Sequence, residues 1–169
     1  MAATPQIDGF KYWAFISYSH RDKKWGDWLH RSLETYRVPK RLVGQPTRDG
    51  IRPNRLFPVF RDREELQVSA DLSGRVNEAL AESRYLVVVC SPNSAQSLWV
   101  NQEIKFFKKL GREDRVLSLI VGGEPHSSDS SKECFPEALM HRVDADGVLL
   151  PDCSESIAGD VREKKRWKA

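Results

Sequence analysis

No glycine-rich turn follows the first apolar run of this 169-residue chain; Ser17-Tyr18-Ser19-His20-Arg21-Asp22 stands there instead. A Rossmann dinucleotide site is thereby excluded, because its turn needs glycine for close backbone approach to a pyrophosphate. A GxxxxGKS phosphate loop and a GxSxG nucleophile elbow are missing as well. The central apolar run ends in Cys90-Ser91-Pro92, without the aspartate that a phospho-accepting receiver domain carries at that point. Cysteine is scarce: Cys90, Cys134 and Cys153 form no CxxC pair, and an odd, sparse count suits a reducing cytosol better than a disulfide scaffold. His20, His30, His126 and His141 are scattered, so no metal site is expected. No apolar run approaches the roughly 20 residues of a membrane-spanning helix. The start, Met1-Ala2-Ala3-Thr4-Pro5, lacks the basic-then-apolar plan of a secretory leader. The expectation is a cytoplasmic chain without metal, resident cofactor or membrane partner.

Charge of one sign is also in short supply. The net charge is +3, and the basic residues fall in clusters at Arg37 to Arg41, Arg52 to Arg63 and Lys164 to Lys168. A solvated mixed-charge surface explains these better than a nucleic-acid interface.

What is present is an alternation of strand-like and helix-like stretches. Tyr12 to Ser17 is aromatic and β-branched and predicts a first strand. Asp22 is placed to cap a helix whose Trp25, Trp28, Leu29, Leu33 and Tyr36 recur at helical spacing. Pro39 stops it. Lys40 to Arg55 is longer than the usual connection, and is either a functional segment or a surface insertion. Leu56 to Phe60 predicts a second strand, at an edge because of Pro58. Asp71 to Ser83 reads as a helix, Tyr85 to Cys90 as a central strand covered on both faces, and Ser97 to Leu110 as a helix closed by Gly111. Val116 to Val121 predicts a further strand, Phe135 to Met140 a short helix, Val148 to Leu150 a last short strand, and Glu155 to Trp167 weak helix. Such alternation argues for a parallel sheet with helices on both faces, and its strand-to-helix loops share one rim.

Three boxes on that rim carry a resemblance. Ala14-Phe15-Ile16-Ser17-Tyr18-Ser19-His20-Arg21-Asp22, then Phe60-Arg61-Asp62, then Ser91-Pro92-Asn93-Ser94 with Ser97-Leu98-Trp99 and Glu103, resemble in order the boxes of a bacterial TIR (Toll/interleukin-1 receptor) domain. The resemblance spans roughly Tyr12 to Leu150. Residues 1–11 then read as an N-terminal arm, 12–152 as the domain, and 153–169 as a C-terminal tail or an incomplete last helix. The resemblance implies an α/β, flavodoxin-like three-layer fold with a central five-stranded parallel sheet. It implies NAD-cleaving activity, homotypic TIR–TIR assembly, or both, in a defence or signalling effector commonly joined to a C-terminal sensor or repeat region. NAD is then a substrate and not a cofactor. By the same resemblance Glu103 is the catalytic carboxylate.

The residues themselves leave two readings open at each position. Trp99 and Glu103 share one helix face, suited to a flat cationic ring and its sugar, yet a tryptophan is also ordinary core and a glutamate near a helix start also answers the helix dipole. Ser91, Ser94 and Ser97 line a loop that can reach nicotinamide or ribose. Tyr18, Ser19, Arg21, Phe60 and Arg61 belong to the same rim; the two arginines suit a pyrophosphate or a surface ion pair, and Phe60 a base or ribose face. Asp62, Arg63, Glu64 and Glu65 form the charged interaction loop. An enzyme and a purely protein-binding module are the two functions in competition.

Overall fold

The strand Tyr12–Ser17 (β1) forms as its aromatic and β-branched composition predicts, and everything that positions the candidate site is arranged around it. The computed structural model describes residues 9–61 and 72–163, with side chains from residue 74 in the second stretch. After β1 come α1 (Lys23–Thr35), the short strands β2 (Pro46–Thr47) and β3 (Gly50–Ile51), β4 (Val59–Arg61), α2 (Leu72–Ala81), β5 (Ser83–Cys90), α3 (Pro92–Ala95) and α4 (Leu98–Lys109). The chain continues through β6 (Val116–Ile120), α5 (Glu137–Met140), β7 (His141–Val143), β8 (Leu149–Cys153) and β9 (Ile157–Asp160).

Five strands form one parallel sheet in the order β4-β1-β5-β6-β9. The expected flavodoxin-like α/β architecture is therefore present, with β5 central and β4 at an edge. Because β1 lies between β4 and β5, the chain leaves it first to one side and then to the other. That reversal opens a crevice at the carboxyl ends of β1 and β5, the place where open α/β sheets bind ligands.

Alternation along β1 sends Ala14 and Ile16 to one face and Phe15 to the other. On the first face they meet Leu29 of α1, with Trp25 and Leu33 packed alongside. On the second face Phe15 joins Leu80 of α2, Ile104 and Phe107 of α4, and Leu139 of α5. Gly26 brings α1 close: a Cβ there would lie 2.9 Å from the buried ring of Tyr18. Gly123 makes the turn after β6 at φ 77°, where any Cβ would meet the Lys132 carbonyl at 2.6 Å.

Several expectations are corrected. Asp22 precedes α1 but its carboxylate does not cap it; the group turns away to the strand-to-helix loop described below. Trp28 and Tyr36 leave the buried stripe and stand exposed, Trp28 edge-on to Trp25 at 5.7 Å. The second strand begins at Val59 rather than Leu56, after Pro58. Val148 to Leu150 contributes to β8, which pairs antiparallel with β7 in a separate two-stranded ribbon and is not the fifth sheet strand. That fifth strand is β9, inside the segment expected to be weakly helical. Glycine and aspartate at 159 and 160 are poor helix formers, and the β6 edge offers Ile157 to Asp160 a backbone ladder. The long connection is folded rather than loose: β2 pairs with β3, and Asp49 between them accepts hydrogen bonds from Tyr85 Oη and Arg115 Nη2, each at 2.6 Å.

Candidate functional site

The site is built from two loops and one helix at the crevice. The β1-to-α1 loop carries Ser19, whose Oγ accepts from the Arg21 amide at 3.4 Å and starts a tight turn over His20–Asp22. The loop after β5 opens with a reciprocal cap: Ser91 Oγ accepts from the amides of Asn93 (3.1 Å) and Ser94 (3.2 Å), and the Ser91 amide donates to Ser94 Oγ (2.8 Å). The two loops are tied together through Asp22. Its buried carboxylate accepts from Ser91 Oγ at 2.5 Å and from Asn93 Nδ2 at 3.0 Å. Ser97 then caps α4 by accepting from the Val100 amide at 3.3 Å.

Helix α4 carries the carboxylate. Glu103 is 4% exposed, and Ser17 Oγ, at the end of β1, donates a hydrogen bond to its Oε2. The alternation that sends Phe15 toward α4 sends Ser17 there too, which explains why this serine meets this glutamate. Glu103 sits in the second turn of α4, beyond the first turn where the helix dipole acts strongly. Its carboxyl group is met instead by a specific donor, the Ser17 hydroxyl. Trp99, one turn nearer the helix start, is 48% exposed and not core. A cavity of about 280 Å³ is lined by Ser19, His20, Arg21, Asn93, Gln96, Ser97 and Trp99.

The far end of α4 is fastened separately. Lys108 Nζ donates to the carbonyls of His141 (2.7 Å) and Leu139 (3.3 Å) and to Ser154 Oγ (3.3 Å). Burial pulls this ammonium below its ordinary pKa, and Glu113 opposes that shift. Asn101 joins α4 to α5 by accepting from the Ala138 amide at 2.9 Å.

The structure thus gathers Ser19, Arg21, Ser97 and Trp99 around one cavity; Glu103 lies one turn further along α4, buried and not among the residues that line it. Ser91 and Ser94 lie beside it, but their hydroxyls are taken up by the cap and by Asp22. Three expected rim residues are placed elsewhere. Tyr18 is buried against Gly26 of α1. Phe60 is core, stacked on Phe15 at a 5.1 Å centroid distance, because the β1–β4 register sets the two side by side. Arg61, in register with Ile16, falls on the α1 face and binds Asp27 Oδ1. Asp62, Arg63, Glu64 and Glu65 lie outside the described residues. His20, Asn93 and Gln96 belong to the rim loops that the sequence points to, though no individual role follows for them from sequence; Ser17 and Asp22 are additions to the expected site. For Ser17 the available signal was a hydroxyl ending an otherwise apolar strand.

Comparison with known proteins gives a consistent picture. A family profile described as "TIR domain" matches residues 14–147. NAD(+) hydrolase ApTIR of Actinoplanes sp. is 37% identical over 115 residues, a match covering 68% of this chain and 14% of that protein. TMV resistance protein N of Nicotiana glutinosa is 27% identical over 97 residues, covering 53% of this chain and 8% of that protein. The chain therefore spans a small part of the length of these curated relatives. Among solved structures, the TIR domains of the activated Roq1 resistosome recognising the pathogen effector XopQ overlay with a TM-score of 0.48 at 24% identity, over 68% of this chain and 60% of that one.

Proposed function

Because the chain belongs to the TIR-domain family, we propose that it cleaves NAD at the nicotinamide–ribose bond, with Glu103 as the catalytic carboxylate. The observation that carries this reading is the placement of Glu103: buried at the sheet's switch point, held by the Ser17 hydroxyl, one helical turn below an exposed indole. The name of the Actinoplanes relative supports the same reaction.

The chemistry asks little of acid catalysis. When the bond between the anomeric carbon and the pyridinium nitrogen breaks, its electron pair stays with nitrogen and nicotinamide leaves neutral, without a proton. Glycosidases with poorer leaving groups need a second carboxylic acid for that step. What remains is to steady positive charge developing at the anomeric carbon. A fixed carboxylate with little water around it does this by electrostatics and by accepting from ribose hydroxyls. Water then adds to that carbon and releases a proton, giving ADP-ribose; attack by the substrate's own adenine gives a cyclised product instead. Trp99 packs on the pyridinium or ribose, a contact of about 0.5–2 kcal/mol. Arg21 faces the pyrophosphate, and Ser19 and Ser97 the sugar.

Activation by self-assembly belongs to the same proposal. Leu98 is 78% exposed and Trp99, which lines the cavity, 48% exposed, so the start of α4 presents apolar surface that a neighbouring copy would cover. Those same exposed residues favour the second reading, a module that pairs with other TIR domains without chemistry. A cytoplasmic defence or signalling role fits either reading, the tobacco relative being named for resistance.

The test is chromatography of NAD products from concentrated protein and from its Glu103→Gln variant. Release of nicotinamide by the first and not by a folded second supports the enzyme. Equal release by both removes Glu103 from the mechanism, and unchanged NAD in clustered protein favours the binding module.

A further inference from the structure

At the opposite end of the sheet from Glu103, the long connection between α1 and β4 does not lie flat on the strands. It roofs a cavity of about 490 Å³. The floor is the α1 face of the sheet, with Trp13 of β1, Val87 of β5 and Leu117 of β6; the roof includes Val38, Leu42 and Ile51. Pockets of about 300–1,000 Å³ with mostly apolar walls and a few placed polar groups are the usual form of small-molecule sites.

The charges at this cavity are lopsided. The connection carries Arg37, Lys40, Arg41, Arg48, Arg52 and Arg55 against one acid, Asp49; of these Arg52 and Asp49 line the cavity, together with Arg84 of β5, whose guanidinium lies over the Trp13 ring at 4.9 Å. Asp49 is already bound to Tyr85, Arg115 and Arg48. Arg48 also reaches Asp114 at 3.0 Å, and Arg55 donates to the Glu34 carbonyl at 2.8 Å. Arg52 differs from both: it is one of the residues that line the cavity, half-buried, and no carboxylate among the described residues pairs with it. A guanidinium in an apolar wall is a strong, geometrically specific anchor for a carboxylate.

The geometry points to a second ligand site here, one for an amphipathic monocarboxylate whose apolar body fills the space between Trp13, Val38 and Leu117 and whose head group binds Arg52. The site is independent of the NAD reading, and its test does not read NAD turnover.

Calorimetric titration with dodecanoate, below its micelle-forming concentration, checks it. Saturable binding at one molecule per chain is expected, with no binding of dodecyltrimethylammonium. Arg52→Glu, with Arg52→Gln as the milder variant, should weaken dodecanoate binding about tenfold or more, and Arg41→Glu on the outer surface should not. Absence of dodecanoate binding, equal binding of the cationic amphiphile, or no effect at Arg52 overturns the proposal. So does binding confined to phosphatidylglycerol vesicles, which would make the basic roof a bilayer contact.

Discussion

Ser17 and Glu103, 86 residues apart in the chain, meet through a hydrogen bond from the serine Oγ to the glutamate Oε2. Ser17 ends the strand on one side of the sheet's reversal point, and Glu103 comes from the helix entered after the strand on the other side. Taking away the hydroxyl leaves a buried carboxylate short of a donor, which costs about 1–3 kcal/mol. Ser17→Ala should therefore lose that much unfolding free energy in urea and release nicotinamide more slowly. An unaltered urea midpoint would show that the bond carries no weight.

Trp99 and Phe60 are both aromatic residues of the boxes that mark the rim, and their burial separates them. Trp99→Ala should change stability by no more than about 0.5 kcal/mol, as for exposed positions, and raise KM for NAD. Phe60→Ala should cost about 3–5 kcal/mol, as for a buried ring, with its catalytic effect following the folded fraction. Thermal unfolding beside NAD kinetics distinguishes the pair, and a large stability loss at Trp99 would return it to the core.

Gly26→Ala sets two effects against each other. In a helix, alanine gains up to about 1 kcal/mol over glycine. Here the new methyl meets the Tyr18 ring at 2.9 Å, and that ring is fully buried. Overpacking of about 1–3 kcal/mol should win, so denaturation should shift to lower urea. A stabilised variant would mean that α1 moves outward freely.

Acid should weaken the anchor of the long connection. The hydrogen bond from Tyr85, helped by Arg115, holds the Asp49 carboxyl below its usual 3.8. With the folded pKa depressed, the unfolded chain binds more protons at low pH. The stabilisation is complete above the unfolded value and disappears as pH falls through the folded one. Tyr85→Phe removes the largest cause, so it should be less stable than the parent at about pH 6, with the gap narrowing toward about pH 3. Urea midpoints at the two pH values test this, and a gap independent of pH would assign the effect to packing.

Much of this was legible in the chain itself. The alternation of Ala14, Phe15 and Ile16, the apolar run Leu86 to Cys90 and the spacing of Val100, Ile104 and Phe107 carry the layered sheet, because burial on two faces leaves a periodic trace. The pairing of Trp99 with Glu103 was visible as helical spacing. Strand register was not. It decides that Phe60 stacks on Phe15 and that Arg61 turns to Asp27, and it depends on partners distant in sequence. The strand Ile157–Asp160 was hidden for a related reason: its four residues are exposed, so a backbone ladder holds it and leaves no apolar pattern. Asp22 looked like a local cap because nothing nearby in sequence reveals Ser91 and Asn93.

Fastening by Asn101 near its start and Lys108 near its far end gives α4 the character of a rigid beam clamped on both sides of Glu103. A beam held in that way resists carrying its carboxylate bodily toward an incoming sugar. Adjustment to substrate must come from the indole at the free tip and from the loop around His20, which makes these the places to look for chemical-shift changes on titration.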